Sequence, residues 1–375
     1  MTEDKSTRYH RLKRRAEIAG LIWGAVLLIG LVTTGAARGL DQVAARFSRG
    51  SLYAEAAGLA VLLLLIHEVI AAPLGWYSGF TLEQRYGLSR QTPSAWLVDH
   101  AKGVALSMLL TVAGVLLIYA AILHASDWWW LAAGAAFAAV IVGMANLAPV
   151  VLLPLFFTFT PLDRESLRAR LESLASRAGT RIVGVYEWAL GTRTRKANAA
   201  LAGLGHTRRI LVSDTMLEQY SDDEIEVVLA HELGHHVHHD IWRAIALESL
   251  IVVLGFLAAD RALLAFGPVL GLRGRDDAAG LPLIVAAAAT VSLVLMPIGL
   301  ALSRRHERRA DRFALDLTGN PTAFLSAMRR LGAQNMAEEN PSQLTQWLFY
   351  SHPPLEERLA AARAWRRGPV ESIGP

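Results

Sequence analysis

Long apolar blocks dominate the pattern of hydrophobic and polar positions along this chain. A membrane-spanning helix needs about 20 mostly apolar residues, and six stretches reach that length without the polar face typical of soluble helices. These stretches cover residues 17–36, 52–76, 103–124, 128–152, 242–266 and 280–302. The pattern predicts an integral membrane protein with six spans. We interpret the first stretch as an anchor and not a signal peptide, because it lacks a convincing cleavage site and further spans follow it.

Basic residues flank the apolar blocks unevenly, and their distribution predicts the orientation. A cluster of lysines and arginines precedes the first span, which favours a cytosolic N-terminus. This cluster comprises Lys5, Arg8, Arg11, Lys13, Arg14 and Arg15. With six spans, both termini and the polar region 158–240 then lie in the cytosol. The outer loops 37–51 and 267–279 also contain arginines, so the asymmetry is incomplete.

Overall composition narrows the function classes further. The net charge of +4 does not require a nucleic-acid partner, since most basic residues lie beside membrane spans, where orientation and anionic headgroups account for them. The chain contains no cysteine, which excludes disulfides, a thiol nucleophile and a cysteine zinc site. Its alanine- and arginine-rich composition favours a bacterial protein, and we expect it in the inner membrane with its active site on the cytosolic side.

Two polar regions divide the chain into four predicted parts. These are an N-terminal membrane region with four spans, a mixed α/β domain, a membrane hairpin and a helical C-terminal part, covering 1–157, 158–240, 241–302 and 303–375. In the mixed domain, Leu167, Leu171 and Leu174 repeat at helical spacing within 164–179. Segments 181–190 and 208–217 are typical of strands, and 197–206 is a possible third strand.

The segment HELGHHVHHD, residues 231–240, carries the candidate chemistry. It follows Ser221 and Glu224, which form a capping-box pattern and predict a helix over about 222–239. His231 and His235 are four residues apart, so they share one helix face and could bind one metal ion. The adjacent Glu232 could then activate a water at an open coordination position. His236, His238 and His239 point elsewhere on the helix and are interpreted as polar residues near the membrane interface.

A catalytic zinc site needs a third protein ligand, and the segment SRRHERRADRFALD, residues 303–316, offers two candidates. Glu307 and Asp311 are also four residues apart on a probable helix, so Glu307 could bind the metal while Asp311 orients a ligand histidine. Composition alone favours a charged juxtamembrane helix with Glu–Arg pairs. The last two spans form a predicted hairpin, however, and this would return residue 307 to the neighbourhood of residue 235.

The motifs together resemble the Ste24-type CAAX prenyl proteases of the M48 zinc metallopeptidases. The resemblance rests on GWYSGFTLEQRYGLSRQT with Asp99 and Lys102, PLFFTFTPL, ANAALAGLGHTRRILVSDTML, HELGHH, ERRADRFA and SHPPLEERL, in the family order. It implies a fold that is mainly α, with membrane helices enclosing a cavity and a small zincin-like α/β domain at the cytosolic face. It also implies a zinc-dependent endopeptidase that acts on peptide or protein substrates, including membrane-associated or prenylated ones.

The resemblance assigns roles to individual residues. It implies one zinc ion per chain, bound by His231, His235 and Glu307, with Glu232 as the general base. Asn198 matches the family's asparagine on the substrate-side strand. His352 and Arg358 are expected to face the substrate or the tetrahedral intermediate.

Three departures and two alternatives stay open. Eukaryotic members have seven spans against six here, the loop around 185–201 is compact, and His67 with Glu68 lies at membrane depth, where polar residues usually line a cavity or meet a partner. These departures bear on the substrate more than on the protease chemistry. The first alternative is a site-2-type intramembrane protease, disfavoured because the motif lies between polar segments. The second is a non-catalytic membrane scaffold or transporter with a structural metal, disfavoured because such a site does not need Glu232.

Overall fold

The computed structural model describes residues 4–203, 205–338 and 341–366, and this part of the chain is mainly helical. Its helices are α1 (Lys5–Thr33), α2 (Ala36–Ser48), α3 (Leu52–Gly75), α4 (Leu82–Arg85), α5 (Pro93–Ala125), α6 (Trp129–Leu147), α7 (Glu165–Arg177), α8 (Asp214–Gln219), α9 (Asp222–Val237), α10 (Asp240–Phe266), α11 (Leu281–Thr318), α12 (Pro321–Gln334), α13 (Gln343–Phe349) and α14 (Leu355–Ala364). Its strands are β1 (Phe159–Pro161), β2 (Val185–Trp188), β3 (Ala199–Ala202) and β4 (Arg209–Ser213).

Helices long and apolar enough to cross a membrane carry most of the structure. Among the described residues there are five such helical stretches, and the longest, Pro93–Leu147, has 55 residues. That stretch consists of α5 and α6 joined by a short 3-10 turn at Ser126–Trp128. Each of the six predicted segments therefore falls largely within its own helix, and the integral membrane prediction is confirmed. The number and membrane crossing of the individual spans agree with the prediction only approximately.

Two helices differ from the sequence-based expectation. The predicted outer loop 37–51 contains α2, a 13-residue helix that buries Ala37 and Ala44 on one face and is too short to cross a bilayer. The predicted boundary at residue 302 does not interrupt α11, which continues for 38 residues. The charged half of α11 follows its apolar half without an intervening glycine after Gly299. The helix ends only at Gly319, which adopts a left-handed backbone conformation.

The small sheet has the strand order β1-β2-β4-β3. β2 pairs in parallel with β4, while β1 and β3 pair antiparallel with their neighbours. Both strongly predicted strands are present, and the possible third strand is confirmed as the shorter β3. The pattern did not predict β1, whose three residues are too few for a periodicity signal. Because β3 comes last in the strand order, it is an edge strand, and no other described strand pairs with its outer side.

One apolar core joins the mixed domain to the C-terminal helices. Leu167, Leu171 and Leu174 of α7 are fully buried, as their spacing predicted, and they belong to the same core as Leu229 of α9 and Phe324 of α12. Parts of the chain on either side of the membrane hairpin therefore form one packed unit. At the start of α9, both hydrogen bonds of the predicted capping box between Ser221 and Glu224 are present, so the N-terminus of this helix is fixed at Ser221.

Candidate active site

Close packing between α9 and α11 brings the candidate ligands together. The two helices touch at Gly234, where an added Cβ would lie 3.1 Å from the Cα of Ala310. Because the two helices approach closely at this glycine, side chains near it on α9 and α11 can reach a common space. His231 and His235 reach this space from α9, and Glu307 reaches it from α11.

The three side chains form a compact set of donor atoms. The Nε2 atoms of His231 and His235 are 3.2 Å apart. Glu307 places Oε1 3.2 Å from Nε2 of His235 and Oε2 3.4 Å from Nε2 of His231. Zinc bonds of about 2.0–2.1 Å in tetrahedral geometry would separate neighbouring ligand atoms by about 3.3 Å, so the spacing fits one such ion.

The environment of Glu307 also fits a metal. Glu307 is buried, and its Oε2 makes no well-aligned hydrogen bond with protein, although Nδ1 of His352 lies 2.8 Å away. A buried carboxylate oxygen without a hydrogen bond is costly unless another group compensates its charge. A divalent cation between Glu307 and the two imidazoles would provide that compensation.

Asp311 holds His231 from the side away from this space. Its Oδ1 lies 2.9 Å from Nδ1 of His231, so the carboxylate can accept the Nδ1 proton and leave Nε2 free to bind a metal. Although burial opposes the charged imidazole, the neighbouring carboxylates of Asp311 and Glu307 raise the pKa of His231 to about 9. Metal binding at neutral pH would therefore displace a proton from this histidine.

Arg358 pairs with Asp311 through two hydrogen bonds of 2.8 and 2.5 Å. It also lies beside the ligand pair, with Nη2 3.9 Å from Oε2 of Glu307. The family resemblance implies that Arg358 faces the substrate or the tetrahedral intermediate. In the structure, Arg358 also contacts Asp311, the carboxylate beside His231. A cation here offsets the negative charge of two neighbouring carboxylates.

Glu232 lies beside the ligands in a cavity of about 390 Å³. The cavity is lined by His231, Glu307 and Arg358 as well as by the half-exposed loop around His352. Burial raises the pKa of Glu232, while the neighbouring imidazoles oppose that shift. A carboxylate with a raised pKa is suited to accept a proton from water and to release it again.

The edge strand β3 leads into the same cavity. Asn198, which precedes β3, lines the cavity, and its backbone N–H donates to the Ser213 hydroxyl at 3.0 Å while its carbonyl accepts from the Ser213 N–H at 2.9 Å. These bonds fix the start of β3 against β4 and leave its outer edge free. An extended peptide can add to such an edge through backbone hydrogen bonds.

The remaining histidines of the cluster lie outside the donor set, as their helix positions predicted. Nδ1 of His238 lies 2.7 Å from the carbonyl oxygen of Gly234, and its ring packs on Phe313. His239 has a left-handed backbone with φ 56° and starts α10. Sequence reasoning did not identify Asp240, whose Oδ2 lies 3.0 Å from Nδ1 of His235. The only signal for it was its proximity in sequence to the motif.

His67 and Glu68 lie far from the donor set along the chain and do not join it. Oε1 of Glu68 is 2.8 Å from Nε2 of His100, and both line a separate cavity of about 710 Å³. The backbone carbonyl of His67 accepts a hydrogen bond from the indole of Trp23. Glu68 thus has a polar partner at a cavity, as is usual for an ionisable residue at membrane depth.

Comparisons with known proteins agree with this arrangement. The model of peptidase family M48 matches residues 161–366, and a model described as CAAX prenyl protease N-terminal, five membrane helices, matches residues 2–158. In this chain, the described part of that second region holds α2 and four long apolar helices.

Individual relatives match over most of the chain. A CAAX prenyl protease 1 homolog of Arabidopsis thaliana is 31% identical over 308 residues, covering 78% of this chain and 70% of the relative. An uncharacterized metalloprotease of Bacillus subtilis is 28% identical over 327 residues, covering 84% of this chain and 75% of the relative. The crystal structure of Ste24p from S. mikatae superposes with a TM-score of 0.86 at 25% identity, covering 96% of this chain and 88% of the other.

Proposed function

The chain belongs to peptidase family M48 as a membrane metallopeptidase of the Ste24 type, and from this premise we propose a zinc endopeptidase whose ligands are His231, His235 and Glu307. The observation that carries the proposal is the convergence of three side chains at a cavity that also contains Glu232: the Nε2 atoms of the two histidines are 3.2 Å apart, and each lies 3.2–3.4 Å from one carboxylate oxygen of Glu307. Among the described residues, this is the one group of three or more His, Cys, Asp or Glu side chains that offers ligand atoms all within 4.8 Å of one another.

In the proposed mechanism, His231, His235 and Glu307 would hold a zinc ion, which would supply Lewis-acid chemistry for the scissile carbonyl and the attacking water. Glu232 accepts a proton from that water and later delivers it to the leaving amine. Asp311 holds the Nδ1 proton of His231, so that Nε2 stays available to the metal. His352 and Arg358 line the same cavity, where they would hydrogen-bond the oxygen on which negative charge develops.

The substrate would lie extended along the outer edge of β3. Its backbone would form hydrogen bonds with the backbone of β3, which follows Asn198 in the chain. This placement is supported by the edge position of β3 and by the cavity that Asn198 shares with Glu232. We propose peptide or protein substrates that reach the site from the membrane, including CAAX-like ones, since the relatives named above include CAAX prenyl proteases.

We further propose that the site faces the cytosol of a bacterial inner membrane. The basic N-terminal end of α1 lies beside the site, because His10 lines its cavity and Arg14 pairs with Glu338 at 2.6 Å. Basic segments flanking a first span stay cytosolic, so the neighbouring site takes the same side. We also propose the division of the chain into the four parts 1–157, 158–240, 241–302 and 303–375. The second and fourth of these parts share one apolar core.

A site-2-type protease is disfavoured by the position of α9. This helix has 16 residues and is not among the described helices that are long and apolar enough to cross a membrane. A structural metal in a scaffold is disfavoured by Glu232, which lines the cavity without belonging to the donor set.

Replacing the base tests the proposal. Glu232→Gln keeps the size of the side chain but cannot accept the proton, so we expect stoichiometric zinc with peptidase activity lowered by at least about 100-fold. Purified protein in detergent or liposomes is assayed for both, and near-normal turnover by a metal-replete variant contradicts the mechanism. Comparison of membrane-proteome fragments produced by the active protein and by Glu232→Gln then identifies the substrates.

A further inference from the structure

Each proposed histidine ligand has its own carboxylate on the side away from the metal. Asp311 lies 2.9 Å from Nδ1 of His231, and Asp240 lies 3.0 Å from Nδ1 of His235. The two Nε2 atoms consequently face each other at 3.2 Å. A neutral imidazole carries one proton, and a carboxylate at Nδ1 keeps that proton away from the metal-binding nitrogen.

The chain reaches this position through an unusual local conformation. Asp240 is five residues after His235, a spacing that does not place two side chains together on a regular helix. α9 ends at Val237, however, and His239 adopts φ 56° and ψ 34°, so the backbone is not a continuous helix between His235 and Asp240, where α10 starts. A left-handed backbone costs a non-glycine residue roughly 1–2 kcal/mol, and the surrounding contacts must compensate for it.

The contacts that hold Asp240 in place come from both helices of the membrane hairpin, α10 and α11. Asp240 is buried, and its Oδ1 accepts a hydrogen bond from Nη2 of Arg309 on α11. His306, also on α11, lies 3.7 Å from the same oxygen, and Arg243 of α10 lies 3.6 Å from it. The Asp240 carboxylate is therefore held by both helices of the hairpin while its other oxygen faces His235.

We infer that Asp240 is a positioning residue for His235, and that Arg309 acts on the metal site by holding Asp240. The first residue of one membrane helix and the returning membrane helix would then jointly orient a metal ligand. This inference rests on the proposed metal site and adds to it a connection between ligand geometry and the packing of α10 against α11.

The test measures metal binding directly, with full-length protein in detergent. Zn²⁺ affinity is determined by competition with a chelator, and Co²⁺-loaded protein gives a visible spectrum that reports ligand geometry. Asp240→Ala should weaken Zn²⁺ binding about 10–100-fold and shift the Co²⁺ bands. Asp240→Asn should lose less, because its amide oxygen can still accept the Nδ1 proton of His235.

Arg309→Gln should weaken Zn²⁺ binding in the same direction and by less than Asp240→Ala. The double variant should bind no more weakly than Asp240→Ala alone, since Arg309 acts through Asp240. The matched control is another Arg–Asp pair on α11, Arg312 with Asp316, whose atoms lie 3.0 Å apart on an exposed face. Arg312→Gln and Asp316→Asn should keep the parent affinity and spectrum.

A purely structural role for Asp240 predicts a different result. The melting temperature of the metal-depleted variants would fall, while folded protein would keep the parent Zn²⁺ affinity and Co²⁺ spectrum. That result, or additive losses in the double variant, overturns the inference. If Asp240→Ala does not fold, Asp240→Asn and Arg309→Gln decide the question by the same readouts.

Failure of the inference is distinguishable from failure of the proposed function. If the parent protein binds Zn²⁺ and His231→Ala does not, the metal site stands whatever Asp240 does. If the parent protein and His231→Ala bind Zn²⁺ equally, the proposed site itself is wrong.

Discussion

Asp311→Asn separates the two tasks that the structure gives this carboxylate. In the native protein, Asp311 accepts from His231 at 2.9 Å and from Arg358 at 2.8 and 2.5 Å. Asparagine has nearly the same size and can still accept one hydrogen bond, but it removes the negative charge. The variant therefore weakens the support of His231 and leaves the buried guanidinium of Arg358 without its closest counter-charge.

These two effects have different magnitudes. Loss of an outer carboxylate partner lowers metal affinity by about 10–100-fold, which corresponds to roughly 1.4–2.7 kcal/mol. Breaking a buried ion pair by removing one partner costs about 3–5 kcal/mol. Asp311 is 5% exposed, so little of this cost is relieved by water. We expect the stability of the metal-depleted protein to fall more than the zinc affinity does.

Zinc titration and thermal unfolding of the same preparations test this expectation. Asp311→Asn should bind zinc more weakly yet recover substantial peptidase activity at raised zinc. Glu307→Gln should recover little, because it loses a proposed ligand. Adding Arg358→Met to Asp311→Asn should restore part of the lost melting temperature, since the unpaired buried cation is then gone.

Two results would refute the reasoning. If zinc rescues Glu307→Gln and not Asp311→Asn, the ligand and the orienting carboxylate must exchange roles. If the double variant with Arg358→Met melts no higher than Asp311→Asn alone, the unpaired cation is not the source of the instability.

Three further predictions follow from the described contacts. Alanine at any of the three proposed ligands should abolish stoichiometric zinc, whereas His238→Ala should keep it; metal analysis that gives the reverse shows a wrong register. Gly234→Ala should lower the melting temperature by overpacking worth about 1–3 kcal/mol and weaken zinc binding, because its Cβ would press on α11 at 3.1 Å from Ala310. Burial and the neighbouring Glu55 raise the pKa of Asp41 to about 6, so native protein holds a proton that unfolded protein releases near pH 4. Stability should therefore fall by up to about 3 kcal/mol as pH rises from 4 to 6, and Asp41→Asn should flatten this slope in melting curves.

Apolar blocks predicted the membrane helices, and i, i+4 spacing predicted the two side-chain pairs His231–His235 and Glu307–Asp311. Both signals are local, because each relates residues within one helix. The role of Glu307 as a proposed ligand also needed the predicted hairpin and the family resemblance. The Asp311–Arg358 pair joins residues 47 positions apart, and no local pattern relates them. Asp240 was missed for a different reason, since its approach to His235 depends on the left-handed backbone of His239. Histidine adopts this conformation more often than most residues but still rarely, so its presence does not predict such a turn.

The position of Glu307 shows why this peptidase core depends on its membrane part. The core packs α7 and α9 against residues such as Ala314 and Phe324, which lie beyond the hairpin. Glu307 belongs to α11, the helix that returns from the membrane, while both histidines precede the hairpin. The donor set therefore requires α11 to lie against α9 at Gly234, on a chain that passes through the α10–α11 hairpin between the histidines and Glu307. Because Asp240 and Arg309 link the same two helices beside His235, this contact within the hairpin also lies against a proposed metal ligand. Metal binding and hairpin packing should consequently stabilise each other, since a ligand that binds only the packed form shifts the equilibrium toward it.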